Sequence, residues 1–179
     1  IKSSDDLSSK ERILKKILNI QKDSGRFRNK LGEIYLEQEE YSKAIKQFTK
    51  ALDVDFENVG YHNNIASAYS SKESFANAIH HYDIAIKQEP ENHNAYIGKA
   101  VILHTHLNRK KDALNLLEQS IVSDGEIDTL DLLAIRTKIV FLANDNKPRL
   151  LQKEFDRLID ISRNLSEIEK EMYIFIFLN

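Results

Sequence analysis

Along this chain, apolar residues recur at steps of three and four, the spacing that gathers them on one face of an α-helix. The first such stretch, "RILKKILNI", follows Ser8 and Glu11, whose Ser-x-x-Glu spacing is that of a capping box, and predicts a helix over about 9–22. Short polar joints, "EQEE" at 37–40 and "SSKES" at 70–74, separate later helices. "IDTLDLLAIRTKIVFLAN" (127–144) is apolar nearly all round and predicts a buried helix. "RLLQKEFDRLIDISR" (149–163) is amphipathic and has Pro148 in its first turn. Ser166 with Glu169 caps a last helix, 166–178, ending in the apolar run "MYIFIFL".

Displaced by 34 residues, the sequence falls on itself. "SKAIKQFTKALDVDFEN" (42–58) meets "ANAIHHYDIAIKQEPEN" (76–92), pairing Ala44 with Ala78, Phe48 with Tyr82 and Ala51 with Ala85. Upstream, Asn29, Leu31, Gly32 and Tyr35 meet Asn63, Ile65, Ala66 and Tyr69. A third copy carries Tyr96, Ala100 and Leu103. It takes a one-residue insertion near "HLNRKKD" before Ala113, Leu117 and Ser120 stand for Ala78, Tyr82 and Ala85. Each unit is two helices too short to bury their own faces, so units must stack.

"LGEIY" followed by "AIKQF", and "IASAY" followed by "AIHHY" with Pro90, read as Leu-Gly-x-x-Tyr and Ala-x-x-x-Phe, and the chain resembles the tetratricopeptide repeat (TPR) family. The resemblance is specific over 25–92, weaker over 93–124 and weakest beyond. No Trp occurs; Arg28, His62 and Tyr96 hold its place. It implies an all-α, right-handed superhelix (solenoid) of antiparallel helix pairs, about nine helices in all. The expected organisation is an N-terminal helix and cap at 1–24 and three units at 25–58, 59–92 and 93–124. A divergent helical repeat and C-terminal helix then fill 127–179, with 127–163 as a fourth unit and 166–178 opening a fifth. Gly32, Ala66 and Ala100 on the first helices, and Ala44, Ala78 and Ala113 on the second, are small where paired helices approach closely.

Composition narrows the chemistry. With 5 Gly and 2 Pro the chain lacks the turn punctuation of an all-β fold. A formal charge of -2 gives no reason to expect nucleic acid or an anionic membrane as partner. Without cysteine there is no disulfide, thiolate nucleophile or Cys-bound zinc. No apolar run reaches the length of a membrane span. The chain starts at Ile1 without an initiator Met, as a fragment or processed product does, and the cytoplasm is the expected location.

The histidines invite a metal or acid–base reading. His80 and His81 are adjacent, so on a helix they point about 100° apart and cannot close on one ion. In the repeat register they replace Lys46 and Gln47 and are expected in solvent, as are His104 and His106; His62 takes an aromatic place and is expected to pack. "NRKK" at 108–111 reads as a solvated turn, and Ser166 of Asn164-Leu165-Ser166 as a helix cap. No nucleophile elbow, phosphate loop or calcium loop is present, so no enzyme activity, metal or cofactor is expected.

The candidate site is a surface. In stacked helical pairs the first helix of each pair lines the concave face. Its outward positions are Arg26, Asn29, Lys30, Glu33 and Glu37, then Gly60, Asn63, Asn64, Ser67 and Ser71, then Asn94, Ile97, Gly98 and Val101. Asparagine offers both donor and acceptor, so this strip suits the backbone of an extended peptide. The two-carboxylate clamp of some TPR domains finds only Asn64 in place; Asn29, Asn94 and Gly98 stand where it needs basic residues, and Glu33 where it needs Asn. Capture of a terminal carboxylate is therefore not expected.

The function expected is a non-catalytic interaction module or scaffold binding a protein segment in that groove. Two other classes remain open: a dimeric chaperone of the secretion-apparatus type, and a regulatory segment of a larger enzyme or sensor. The C-terminal run, with Tyr173, Phe175 and Phe177, needs cover, either from a second chain in a homodimer or from another segment of its own.

Overall fold

A computed structural model describes residues 4–121 and 129–164, with side chains over 6–121 and 131–160. Among the described residues there are nine α-helices and no strand. They are α1 (Ser4–Ile20), α2 (Gly25–Glu37), α3 (Tyr41–Leu52), α4 (Val59–Ser71), α5 (Phe75–Gln88), α6 (His93–Thr105), α7 (Lys110–Ser120), α8 (Thr129–Asn144) and α9 (Pro148–Asn164). Helices form two compact units, Ile1–Pro90 and Glu91–Asn179. None of the described helices is long and apolar enough to cross a membrane.

In the first unit, α2 packs on α3, α3 on α4 and α4 on α5, with α1 against α2. Leu31 and Tyr35 of α2, Ala44 and Phe48 of α3, and Ile65 and Ala68 of α4 form one buried cluster. Leu14 and Leu18 of α1 pack against it. Phe48 is wholly buried, a burial that stabilises by about 1.5–3 kcal/mol. Its ring lies over the backbone of Gly32, which explains the small residue that the repeat places there.

The turn inside each helix pair uses one device four times. Glu39, Glu73, Asn108 and Asn146 all have positive φ, between 51° and 61°, the left-handed conformation that ends a helix. The next amide then reaches back across the last turn: Glu40 N–H donates to Tyr35 O, and Ser74 N–H to Tyr69 O, both at 2.8 Å. Lys147 N–H does the same to Leu142 O at 3.0 Å. Between α6 and α7 the corresponding bond, Arg109 N–H to Leu103 O at 2.8 Å, spans one residue more. The inserted residue of the third copy is absorbed in this turn, so Ala113, Leu117 and Ser120 keep their buried places.

The second unit holds α6–α9. α7 and α6 both pack on α8, and α9 packs on α8. Leu132, Ala134, Ile135, Phe141 and Leu142 of α8 are buried, as the apolar run predicts, yet Val140 is 47% exposed. Lys138 bridges Glu118 of α7 and Glu154 of α9, the latter at 2.7 Å, and Arg157 lies 3.3 Å from Glu118. Glu154 is 4% exposed, so this network holds a carboxylate out of water.

The N-terminal helix corrects an expectation. It begins at Ser4, so Ser8 lies inside it and the Ser8–Glu11 pair is no capping box. Glu11 works across helices instead. Its carboxylate accepts from Lys15 Nζ at 2.6 Å, and from Tyr35 Oη and Gln38 Nε2 at 3.2 Å each. Those bonds, Lys15's first, hold its pKa below the usual glutamate value. The expected last helix with Tyr173, Phe175 and Phe177, and the Ser166 cap, lie outside the described residues.

Candidate functional site

In the first unit the outward row of α2 is knit together before any ligand arrives. Lys30 Nζ and Asn29 Nδ2 both donate to the Glu33 carboxylate at 2.7 Å. Asn29 Oδ1 in turn accepts from Asn64 Nδ2 at 2.8 Å. Lys30, Glu33, Asn29 and Asn64 therefore make one polar chain from α2 to α4. The carboxylate orients the Asn29 amide, and that amide fixes Asn64. Asn64 keeps a second amide proton and its Oδ1 for an incoming backbone. Asn63 and Ser67 flank it, both half-buried, while Arg26 is exposed at the start of α2. A preordered amide loses less rotamer entropy on binding than a free one.

In the second unit, Asn94 is exposed, Ile97 half-buried and Val101 36% exposed on α6. Sequence reasoning missed α8's share of the same row. Val140 stands six places before the left-handed Asn146, as Ser67 stands six before Glu73. By that count Arg136 and Thr137 hold the places of Asn63 and Asn64, and Arg136 is half-buried. The turn geometry supplies this register; the sequence of α8, apolar nearly all round, does not display it.

Of the histidines, His81 and His104 depart from the solvent reading, while His106 is exposed and His62 packs, as expected. His80 is exposed, but His81 is half-buried, and its Nδ1 lies 3.0 Å from Nδ1 of His62, which is 6% exposed. Its ring also stacks on Tyr69, with centroids 5.8 Å apart. Two Nδ1 atoms at hydrogen-bond distance need one donor and one acceptor, so the pair cannot carry a proton on both. Burial, with the charge of the neighbouring histidines, pushes His81 down to about 4 and lowers His62. His104 is buried too, stacked on Phe141 at 3.8 Å and 3.1 Å from Asp145 Oδ2 through Nε2. Lys110 meets the other oxygen of Asp145, and that bond, then His104's, lowers the Asp145 pKa. In both cases the ring replaces the packing that a large apolar residue would give. Among the described residues no group of three or more His, Cys, Asp or Glu could hold a metal ion.

Two family models match the chain: one described as a TPR repeat at residues 32–72, the other as a tetratricopeptide repeat at 63–126. Solved structures with the same fold include a crystal structure of MamA, TM-score 0.68 at 17% identity over 86% of each chain. The TPR domain of Arabidopsis OM64 gives 0.54 at 20% identity, over 62% of this chain and 90% of that one. The TPR domain of Aspergillus fumigatus Sgt2 gives 0.59 at 21% identity, over 70% and 81%. No curated protein matches.

Proposed function

This chain belongs to the tetratricopeptide repeat family, and from that premise we propose that it is a non-catalytic interaction module binding a protein segment along the outward faces of its first helices. The supporting observation is the ordered chain Lys30–Glu33–Asn29–Asn64, which presents fixed amide groups on α4 in the first unit. Asn64 and Asn63 take the peptide backbone, with Arg26, Lys30 and Ser67 beside them. Backbone recognition by amides is indifferent to side-chain identity, so selectivity falls to flanking groups. In the second unit, taken by itself, the outward positions Ile97 and Val101 of α6, beside Asn94, suit an aliphatic side chain.

The test is a quantitative pull-down from lysate of the source organism with the wild-type chain and with Asn63→Ala/Asn64→Ala. Loss of two peptide hydrogen bonds, worth about 1 kcal/mol each, reduces recovery of the bound protein by about tenfold or more. An unchanged set of bound proteins, with helical circular dichroism intact, sinks this reading.

A further inference from the structure

A groove of about 370 Å³ runs between α1 and α2. Leu7, Lys10, Ile13 and Leu14 line one wall and Lys30, Glu33, Ile34 and Glu37 the other. Advanced by the 34-residue period, the first wall becomes Tyr41, Ala44, Gln47 and Phe48 of α3. The second becomes Asn64, Ser67, Ala68 and Ser71 of α4. That later surface is where α2 itself rests, with Gly32 on Phe48 and Asn29 bonded to Asn64. The groove is thus a helix seat, with α1 in the part that α3 plays for α2. Ile13 in it is 55% exposed.

Two side chains make this seat unlike the one beneath α2. Leu14 stands where Phe48 fills the space, leaving room for a larger side chain above it. Lys10 stands where Ala44 and Ala78 are wholly buried, so close helix approach through a glycine gains nothing there. The seat calls for a helix with bulky apolar residues. Its cations, Lys10 and Lys30, are exposed and already paired with Asp6 and Glu33, so the apolar residues carry the contact. Carboxylates of the incoming helix can only join those pairs at the rim. Residues 166–178, "SEIEKEMYIFIFL", have that composition. They contain no Gly or Ala, carry Glu167, Glu169 and Glu171, and run through seven consecutive apolar residues.

We propose that residues 166–178 of a second copy of this chain occupy the α1–α2 seat. The contact is heterologous: the seat of one copy takes the C-terminal segment of another. The seat shares Lys30 and Glu33 with the polar chain that orients Asn64, and the variants of its test change neither these residues nor Asn63 and Asn64.

Sedimentation velocity over a concentration series measures the assembly of the full chain, of Ile13→Glu, and of Phe175→Glu/Phe177→Glu. The wild type is to show concentration-dependent assembly, weakened at least tenfold in apparent Kd by either change. Mixing the two variants is the sharper readout, because each retains the half that the other lacks, and a 1:1 dimer reappears. Leu7→Glu gives an independent check on the seat, with circular dichroism reporting the fold of each variant. A wild-type monomer throughout, assembly unmoved by Ile13→Glu and Leu7→Glu, or variants that stay monomeric when mixed, each overturns the proposal. Assembly lost in the C-terminal variant but kept by Ile13→Glu and Leu7→Glu indicates symmetric pairing of C-terminal segments instead.

Discussion

Gly32 of α2 and Phe48 of α3 share one space: a Cβ on Gly32 would fall 2.6 Å from Cδ1 of the ring and closer still to Cε1. Real Cβ atoms do not approach so near, and the ring itself is wholly buried with nowhere to turn. Gly32→Ala gains about 1 kcal/mol of helix propensity but overpacks a filled core, which costs about 1–3 kcal/mol. The net expectation is a lower Tm for the first unit by thermal circular dichroism. Adding Phe48→Leu, the residue type found at Leu14, is to recover part of the loss; a Gly32→Ala variant as stable as the parent refutes the close approach.

The left-handed turns make an opposite prediction. Glu39 and Glu73 hold positive φ with a side chain that disfavours it. Glu73→Gly removes that strain and stabilises by about 0.5–1 kcal/mol, and Glu73→Val destabilises by at least as much. Urea unfolding with an unchanged m-value checks both.

Between about pH 6.5 and 4 the His62–His81 contact weakens the fold. An unfolded histidine takes up a proton near 6.5, whereas in the folded chain His81 does so only near 4 and His62 is also lowered. Their contribution is complete above about 6.5 and falls as the pH drops, because the unfolded chain binds protons that the folded pair refuses. His81→Gln, which restores the residue type of Gln47, is to flatten the fall of Tm over that range. An equal slope in the variant argues against the pair as its source.

The network of the second unit is asymmetric. Lys138→Met leaves Glu154, 4% exposed, without its 2.7 Å partner and is to destabilise by about 3 kcal/mol. Lys138→Met with Glu154→Leu removes both charges and costs less than Lys138→Met alone, as unfolding of the two variants measures.

Asp145 adds an acid limb. Its carboxyl is held below its usual value by Lys110 and then His104. A depressed carboxyl contributes stability present above its unfolded pKa and lost as pH falls through the folded one. Asp145→Asn is to lower Tm near neutrality and to converge with the parent in acid, as the pH falls below the ordinary aspartate value and then through the lowered one. A difference that persists unchanged in acid excludes the ionic part.

The sequence by itself determined the repeat, because period, small residues and aromatic fillers are local and recur every 34 residues. Gly32, Ala44, Phe48 and Ala78 could be assigned their places without coordinates, since close helix packing admits few side chains. It also determined the helices that became α8 and α9, but not which side of α8 faces outward, because a stretch apolar nearly all round carries no facing signal. His81 and His104 were misplaced for a related reason. A polar residue at an outer register position reads as solvated, and only the neighbouring helix decides whether a partner stands there. His81 has His62 and Tyr69; His104 has Phe141 and Asp145. Likewise, the asparagines of α2 and α4 were visible at outward register positions, while the bond from Asn64 to Asn29 and the hold of Glu33 on it depend on interhelical spacing. Tertiary structure alone also separated α1 from a simple cap: Glu11, spaced like a capping residue, spends its carboxylate on Lys15, Tyr35 and Gln38. Local pattern fixes which helices form, and the distances between them decide which of their polar groups remain available to a partner.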